Sequence, residues 1–167
     1  MRNLPRTGLI TAAIVFVVDQ ITKFYVTDTL DLDGLGDERV LTSFFALRFV
    51  ANPGVSLGLL RAENEWMRWA LVALTAAIAA GVAVWMTRER HPHDQIGLGL
   101  VLGGAVGNIV DRVRFGYVVD FADLHIGTWR PFYIFNVADA AITIGVLILI
   151  VRAFLAPKTT PVENSHA

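Results

Sequence analysis

Residues Trp66–Met86 read WMRWALVALTAAIAAGVAVWM, an apolar run with no ionisable group near its centre. A helix rising about 1.5 Å per residue over this length crosses a hydrocarbon layer of about 30 Å. Three further apolar stretches accompany it. The first covers about Gly8 to Val26, GLITAAIVFVVDQITKFYV. The third, Ile96–Val110 (IGLGLVLGGAVGNIV), is short and glycine-rich. It spans only by continuing past Asp111 and Arg112, as a helix packed closely on its neighbours does. The fourth runs from Val137 to about Leu155. The expected fold is an α-helical membrane protein of four transmembrane helices, with spans at about 8–26, 66–86, 96–114 and 137–155.

Composition points the same way. Hydrophobic residues make up 54% of the chain and charged ones 17%, against about a quarter charged in soluble domains. The net charge of −1 comes with no basic patch, so no nucleic-acid partner is expected. The absence of cysteine excludes disulfides, thiolate metal sites and a thiol nucleophile. The length suits one compact unit, residues 1–157, followed by a tail at 158–167 expected to be disordered. Arg2 and Arg6 ahead of Leu9–Val18 resemble a secretory signal peptide. The run passes into Asp19-Gln-Ile-Thr-Lys23 without a small-x-small cleavage pattern, so an uncleaved span is expected.

The segment between the first two spans, 27–65, is too long for a simple turn. Asp28–Arg39 is acidic and contains glycine, whereas Thr42–Val50 is aromatic and partly alternating and reads as a short strand. Tyr117–Phe121 also reads as extended, so a small extramembrane β-sheet is expected on this face. Trp129–Phe135 is rich in aromatics and suits the interfacial belt. Ser56–Arg61 reads as a short amphipathic helix lying over the same face. Orientation is not fixed by charge. Six Lys/Arg fall on the side of the termini (Arg2, Arg6, Arg88, Arg90, Arg152, Lys158) and eight on the other. The density of the first group favours cytoplasmic termini.

Alternating topology puts the end of span one, the start of span two, the end of span three and the start of span four on one side. The unusual polar residues gather there: Asp19, Lys23, Asn52, Asn108, Asp111, Arg112, Asp120, Asn136 and Asp139. The opposite end offers Arg88–His93, read as an ordinary solvated turn. Ionisable groups in spans are costly and are usually paired or functional. Each residue also has a plain reading. Asp19 and Lys23, four apart, form an ion pair on one helix face. Asp111 and Arg112 stabilise the end of span three. Asp139 is a first-turn acid favoured by the helix dipole.

Four blocks together resemble the lipoprotein signal peptidase family, also called signal peptidase II. They are Asp19-Gln-Ile-Thr-Lys23; Asn52-Pro-Gly54; Gly107-Asn-Ile-Val-Asp-Arg112 running on to Gly116-Tyr-Val-Val-Asp-Phe121; and Phe135-Asn-Val-Ala-Asp139. The second block departs from the family by continuing Val55-Ser56-Leu57 rather than with small residues and an aromatic.

The resemblance implies an aspartic endopeptidase with Asp120 and Asp139 as the catalytic pair. Asn52, Asn108, Arg112 and Asn136 would position substrate, with Asp19, Lys23, Asp111 and Gly54 supporting. The implied substrate is a bacterial prolipoprotein carrying diacylglycerol on its lipobox cysteine, cut just before that cysteine at the outer face of the cytoplasmic membrane. No cofactor or metal is implied, membrane lipid is the surroundings, and a monomer is expected. The chemistry fits two close carboxylates that share a proton: the ionised one activates water and the neutral one protonates the leaving amine.

Rival readings stand beside this one. A serine–lysine peptidase needs Ser43, Ser56 or Ser165 with Lys23 or Lys158, and only Ser56 with Lys23 shares a face. A metalloprotease would use His91, His93 or His125, which lack an HExxH helix. A small transporter or channel would use the acids as a proton relay, but such relays favour mid-bilayer positions. A non-catalytic scaffold is opposed only by the specificity of the four blocks.

Overall fold

The computed structural model describes residues 4–54 and 65–155. Four helices among them are long and apolar enough to cross a membrane. They are α1 (Arg6–Phe24), α2 (Glu65–Arg88), α3 (Pro92–Phe115) and α4 (Val137–Leu155). A π-helical turn, Tyr25–Thr29, extends α1. The amphipathic helix expected at 56–61 and the tail after 155 lie outside the described residues.

The third span continues through Asp111 and Arg112 to Phe115, where Gly116 at φ 85° ends it in the left-handed region that suits glycine. Half of its membrane-crossing stretch is buried inside the protein, against 17–22% for the other three, so α3 is the central helix. Its glycines explain why. A Cβ on Gly99 would lie 2.5 Å from the Gly8 carbonyl oxygen of α1, and one on Gly103 the same distance from that of Ala12. On another face, a Cβ on Gly104 would lie 2.5 Å from the Ala138 carbonyl oxygen of α4. Lipid supplies no hydrophobic drive for helix association, so close backbone packing of this kind holds the helices together. The outward faces of α1, α2 and α4 carry exposed Ile14, Ile21, Leu74, Ile78, Leu147 and Ile150, as lipid-facing surfaces do.

The extramembrane part is a three-stranded antiparallel sheet in the order β1 (Glu38–Thr42), β2 (Phe45–Asn52), β3 (Val118–Leu124). The single strand expected over Thr42–Val50 is corrected to a hairpin. Thr42 pairs with Phe45 across a turn at Ser43–Phe44, and the Phe44 amide donates to Thr42 Oγ1 at 3.3 Å. β1 carries no strand signal in the sequence because all five of its residues are exposed, so it shows no alternation. Leu47 and Phe49 of β2 pack with Val119, Phe121 and Ala122 of β3 and with Val26 and Leu32. The aromatic loop keeps Trp129, Phe132 and Tyr133 exposed.

At the opposite end Arg88 and Arg90–His93 are exposed, as a solvated turn is. α3 starts at Pro92 in its first turn, where the missing N–H costs nothing. Asp94 of α3 pairs with Arg152 of α4, joining the two helices there.

Candidate active site

Asn136 precedes α4 as its cap. Its Oδ1 accepts the Asp139 N–H at 2.9 Å, satisfying one of the first-turn amides that a helix leaves unpaired. With the oxygen engaged, Nδ2 faces β3. It donates to Asp120 Oδ1 at 2.7 Å and lies 3.2 Å from both Asn108 Oδ1 and Val119 O.

The other two asparagines obey the same logic. The sheet register sets Val50 opposite Asp120 and Asn52 opposite Val118, so Asn52 and Asp120 are diagonal neighbours on one face. Asn52 Oδ1 accepts the Gly54 N–H at 3.0 Å, a local turn, and its Nδ2 donates to Asp120 Oδ2 at 2.9 Å. Asn108, on α3, accepts from Lys23 Nζ at 3.2 Å and donates from Nδ2 to Asp139 Oδ1 at 2.9 Å. Each amide oxygen has a donor, which leaves each NH2 group aimed at a carboxylate. Two carboxyl groups from different elements are thus held by one set of linked amides. Asp120 takes a donor on each oxygen, whereas Asp139 takes a side-chain donor on Oδ1 alone among the described residues.

Asp120 is 2% exposed. Burial pushes its carboxyl up to about 7, and the Asp139 charge adds to this. The donors on Asn52 and Asn136 and the Lys23 charge act in the opposite direction. A carboxyl at this value keeps or yields a proton near neutral pH, as acid–base chemistry requires.

Beneath the pair lies a buried charge cluster. Lys23 Nζ is 2.8 Å from Asp19 Oδ2 and 2.7 Å from Asp111 Oδ2. The pairing of Asp19 with Lys23 expected from their spacing is therefore present, with Asp111 as a second anion. Asp19 Oδ1 accepts the Ala138 N–H at 2.9 Å, and Asp111 Oδ2 accepts the Val119 N–H at 3.2 Å. Arg112 donates to the Gly54 carbonyl at 2.6 Å and to the Asn108 carbonyl at 3.4 Å, bracing the Asn52-Pro-Gly turn against α3.

Gln20 joins this cluster without any signal of its own in the sequence beyond its place inside the first block. Its Nε2 donates to Asp111 Oδ1 at 3.0 Å and reaches Asp19 Oδ2 at 3.2 Å. A second cluster is equally silent in the sequence: Asp123 is fully buried on β3 and is held by Arg130 through contacts of 3.0–3.1 Å. It lies farther along the sheet and ties the β3–α4 loop down. The candidate serine Ser43 sits in the hairpin turn, and Ser56 and Ser165 lie outside the described residues. Lys23 is occupied by two carboxylates.

Fold and site define a multi-pass membrane protein with a linked carboxylate pair at one face. The family described as "Signal peptidase (SPase) II" matches residues 11–155. The chain is 60% identical over 150 residues to a lipoprotein signal peptidase of Sphingopyxis alaskensis, an alignment covering 90% of this chain and 86% of that one. It is 55% identical to the lipoprotein signal peptidase of Rhizorhabdus wittichii, covering 99% and 97%. A solved bacterial membrane enzyme superposes with a TM-score of 0.77 at 28% identity, covering 96% of this chain and 94% of that one. A second such structure gives 0.74 at 31% identity, covering 92% and 94%. The chain belongs to the signal peptidase II family.

Proposed function

We propose that this peptidase removes the signal peptide from diacylglyceryl-modified prolipoproteins by an aspartate pair, Asp120 and Asp139, that activates one water. The observation that carries the assignment is the amide network: Asn136 and Asn108 join the two carboxyl groups across β3, α3 and α4. One carboxylate takes a proton from water as its oxygen attacks the peptide carbonyl before the lipidated cysteine. The other acid donates to the developing oxyanion. When the tetrahedral intermediate collapses, the C–N bond breaks and the leaving amine receives a proton. Asn52, Asn108, Asn136 and Arg112 line the site and position the peptide, and Asp19, Lys23, Asp111 and Gly54 hold that lining. Residues 1–157 act as one peptidase domain, and a single copy suffices.

The test is incubation of the purified protein with diacylglyceryl precursor and with unlipidated precursor. A peptide mass shift confined to the lipidated substrate is expected. No cleavage of either, or equal cleavage of both, contradicts the substrate assignment.

The pH dependence follows from Asp120. Its carboxyl stands at about 7 while the Asp139 charge is present, so the proton shared by the pair is lost as pH rises through that value. kcat/KM is expected to fall on the alkaline side with a midpoint near neutrality. A profile flat from about pH 6 to 9 contradicts the shared proton.

The site lies at the outer face of the bacterial cytoplasmic membrane with both termini inside, where lipid chains of the substrate stay in the bilayer beside the cleft. The chain has no cysteine, so single reporters are clean. Thr128→Cys, on the exposed β3–α4 loop, is expected to react with a membrane-impermeant maleimide in intact cells after outer-membrane permeabilisation. His93→Cys, exposed at the start of α3, is expected to react only once the inner membrane is opened. The reverse pattern inverts the topology.

A further inference from the structure

Lys23 is 4% exposed, and its anionic partners Asp19 and Asp111 are 0% and 1% exposed. Buried ion pairs add little net stability compared with apolar packing, so three charges in this place call for another reason. Their connections supply one. Asp19 holds the Ala138 N–H, one residue before Asp139, and Asp111 holds the Val119 N–H, one residue before Asp120. Lys23 Nζ bridges the two supports at 2.8 Å and 2.7 Å. Its third contact, to Asn108 Oδ1 at 3.2 Å, accounts for the remaining donor of the ammonium and turns Asn108 Nδ2 toward Asp139.

We infer that Lys23 is a positioning residue for hydrolysis: it clamps the supports of both aspartates and so fixes their separation and the orientation of Asn108. The inference rests on the aspartate-pair reading above. Without the ammonium, Asp19 and Asp111 face each other as uncompensated buried anions, and Asn108 Oδ1 is left with the neutral Asn136 donor at 3.2 Å in place of a charged one. Among the described residues, the remaining charged groups around the pair are Arg112 on α3 and the aspartates themselves. Lys23 is buried behind the pair, so its loss acts chiefly on geometry and on proton affinity.

The experiment compares wild type, Lys23→Met and Lys23→Met/Asp111→Asn in membranes, with Asp120→Asn and Asp139→Asn alongside. Lys23→Met is expected to lose about 10²-fold in kcat, the scale of a misplacement of about 1 Å, with KM changed by less than about threefold. Because the Lys23 charge lowers the proton affinity of Asp120, the alkaline limb of its pH profile is expected to move upward. The double variant removes one anion with the cation, so its limb is expected to return toward wild type. Its kcat stays low because the ammonium that bridged the supports of the two aspartates is still gone. If Lys23→Met fails to accumulate, the charge-balanced double variant carries the test through its low kcat. A kcat within about threefold of wild type in whichever variant folds, with an unmoved pH limb, overturns the positioning role. Cleavage surviving in both aspartate variants would instead overturn the pair itself, so the two failures are distinct.

Discussion

Asp139→Asn is expected to abolish cleavage while leaving the fold intact, a loss of about 10²–10⁴-fold in kcat, the usual contribution of a positioned acid or base. The geometry makes this the cleaner of the two aspartate substitutions. Asn108 Nδ2 donates to Asp139 Oδ1, and among the described residues no side chain contacts Oδ2. An asparagine there keeps its oxygen toward Asn108 and turns its NH2 to the open side. The network survives and only the titratable oxygen is lost. Asp120→Asn is expected to be as inactive but less neutral structurally. Both oxygens of Asp120 receive amide donors, from Asn136 and Asn52, whose own oxygens are fixed by the Asp139 and Gly54 amides. One NH2 group must then face another, which leaves a buried donor unpaired. A thermal melt of both variants in detergent, with the cleavage assay, checks the difference: both inactive, Asp120→Asn melting lower.

The second large effect is at Asn136. Replacing it by leucine removes the cap of α4, a loss of about 1 kcal/mol, together with the donor at 2.7 Å on Asp120. Loss of a positioned donor at a reacting centre costs about 10²–10³-fold in kcat. Asn136→Asp separates the two roles. A carboxylate still accepts the Asp139 N–H and is favoured at a helix start, but it presents an anion to Asp120 in place of a donor. It is therefore expected to be about as inactive as Asn136→Leu although the cap is kept. Retained activity in Asn136→Asp contradicts the donor role.

Much of the architecture is legible in the residues themselves. Span length and apolar content fix four crossings, and alternation alone brings Asp19, Asn52, Asn108, Asp120 and Asp139 to one side. The row of glycines between Gly97 and Gly107 announces a helix with close neighbours, which α3 is. β1 is not legible because Glu38–Thr42 lies exposed at the sheet edge, where nothing selects for alternating hydrophobicity. Its polar start merges with the acidic loop ahead of it.

The asparagine orientations are partly legible. The Asn52–Gly54 turn is local and its pattern is visible in the sequence. The direction of Asn108 depends on Lys23 and Asn136, on other elements, and no local pattern records those contacts. The same holds for Asp94 with Arg152, which join helix ends far apart in the chain. Asp123 reads as one more loop acid, because its partner Arg130 meets it only once the Ile126–Trp129 turn folds back.

The most direct test of the aspartate pair is the cleavage rate of Asp120→Asn, Asp139→Asn and the double variant, measured on one lipidated precursor. Two carboxylates working on one water fail as a unit, so the double variant is predicted to be no slower than either single variant. Losses that multiply in the double variant, or a single variant that keeps more than about a tenth of the wild-type rate, would contradict it.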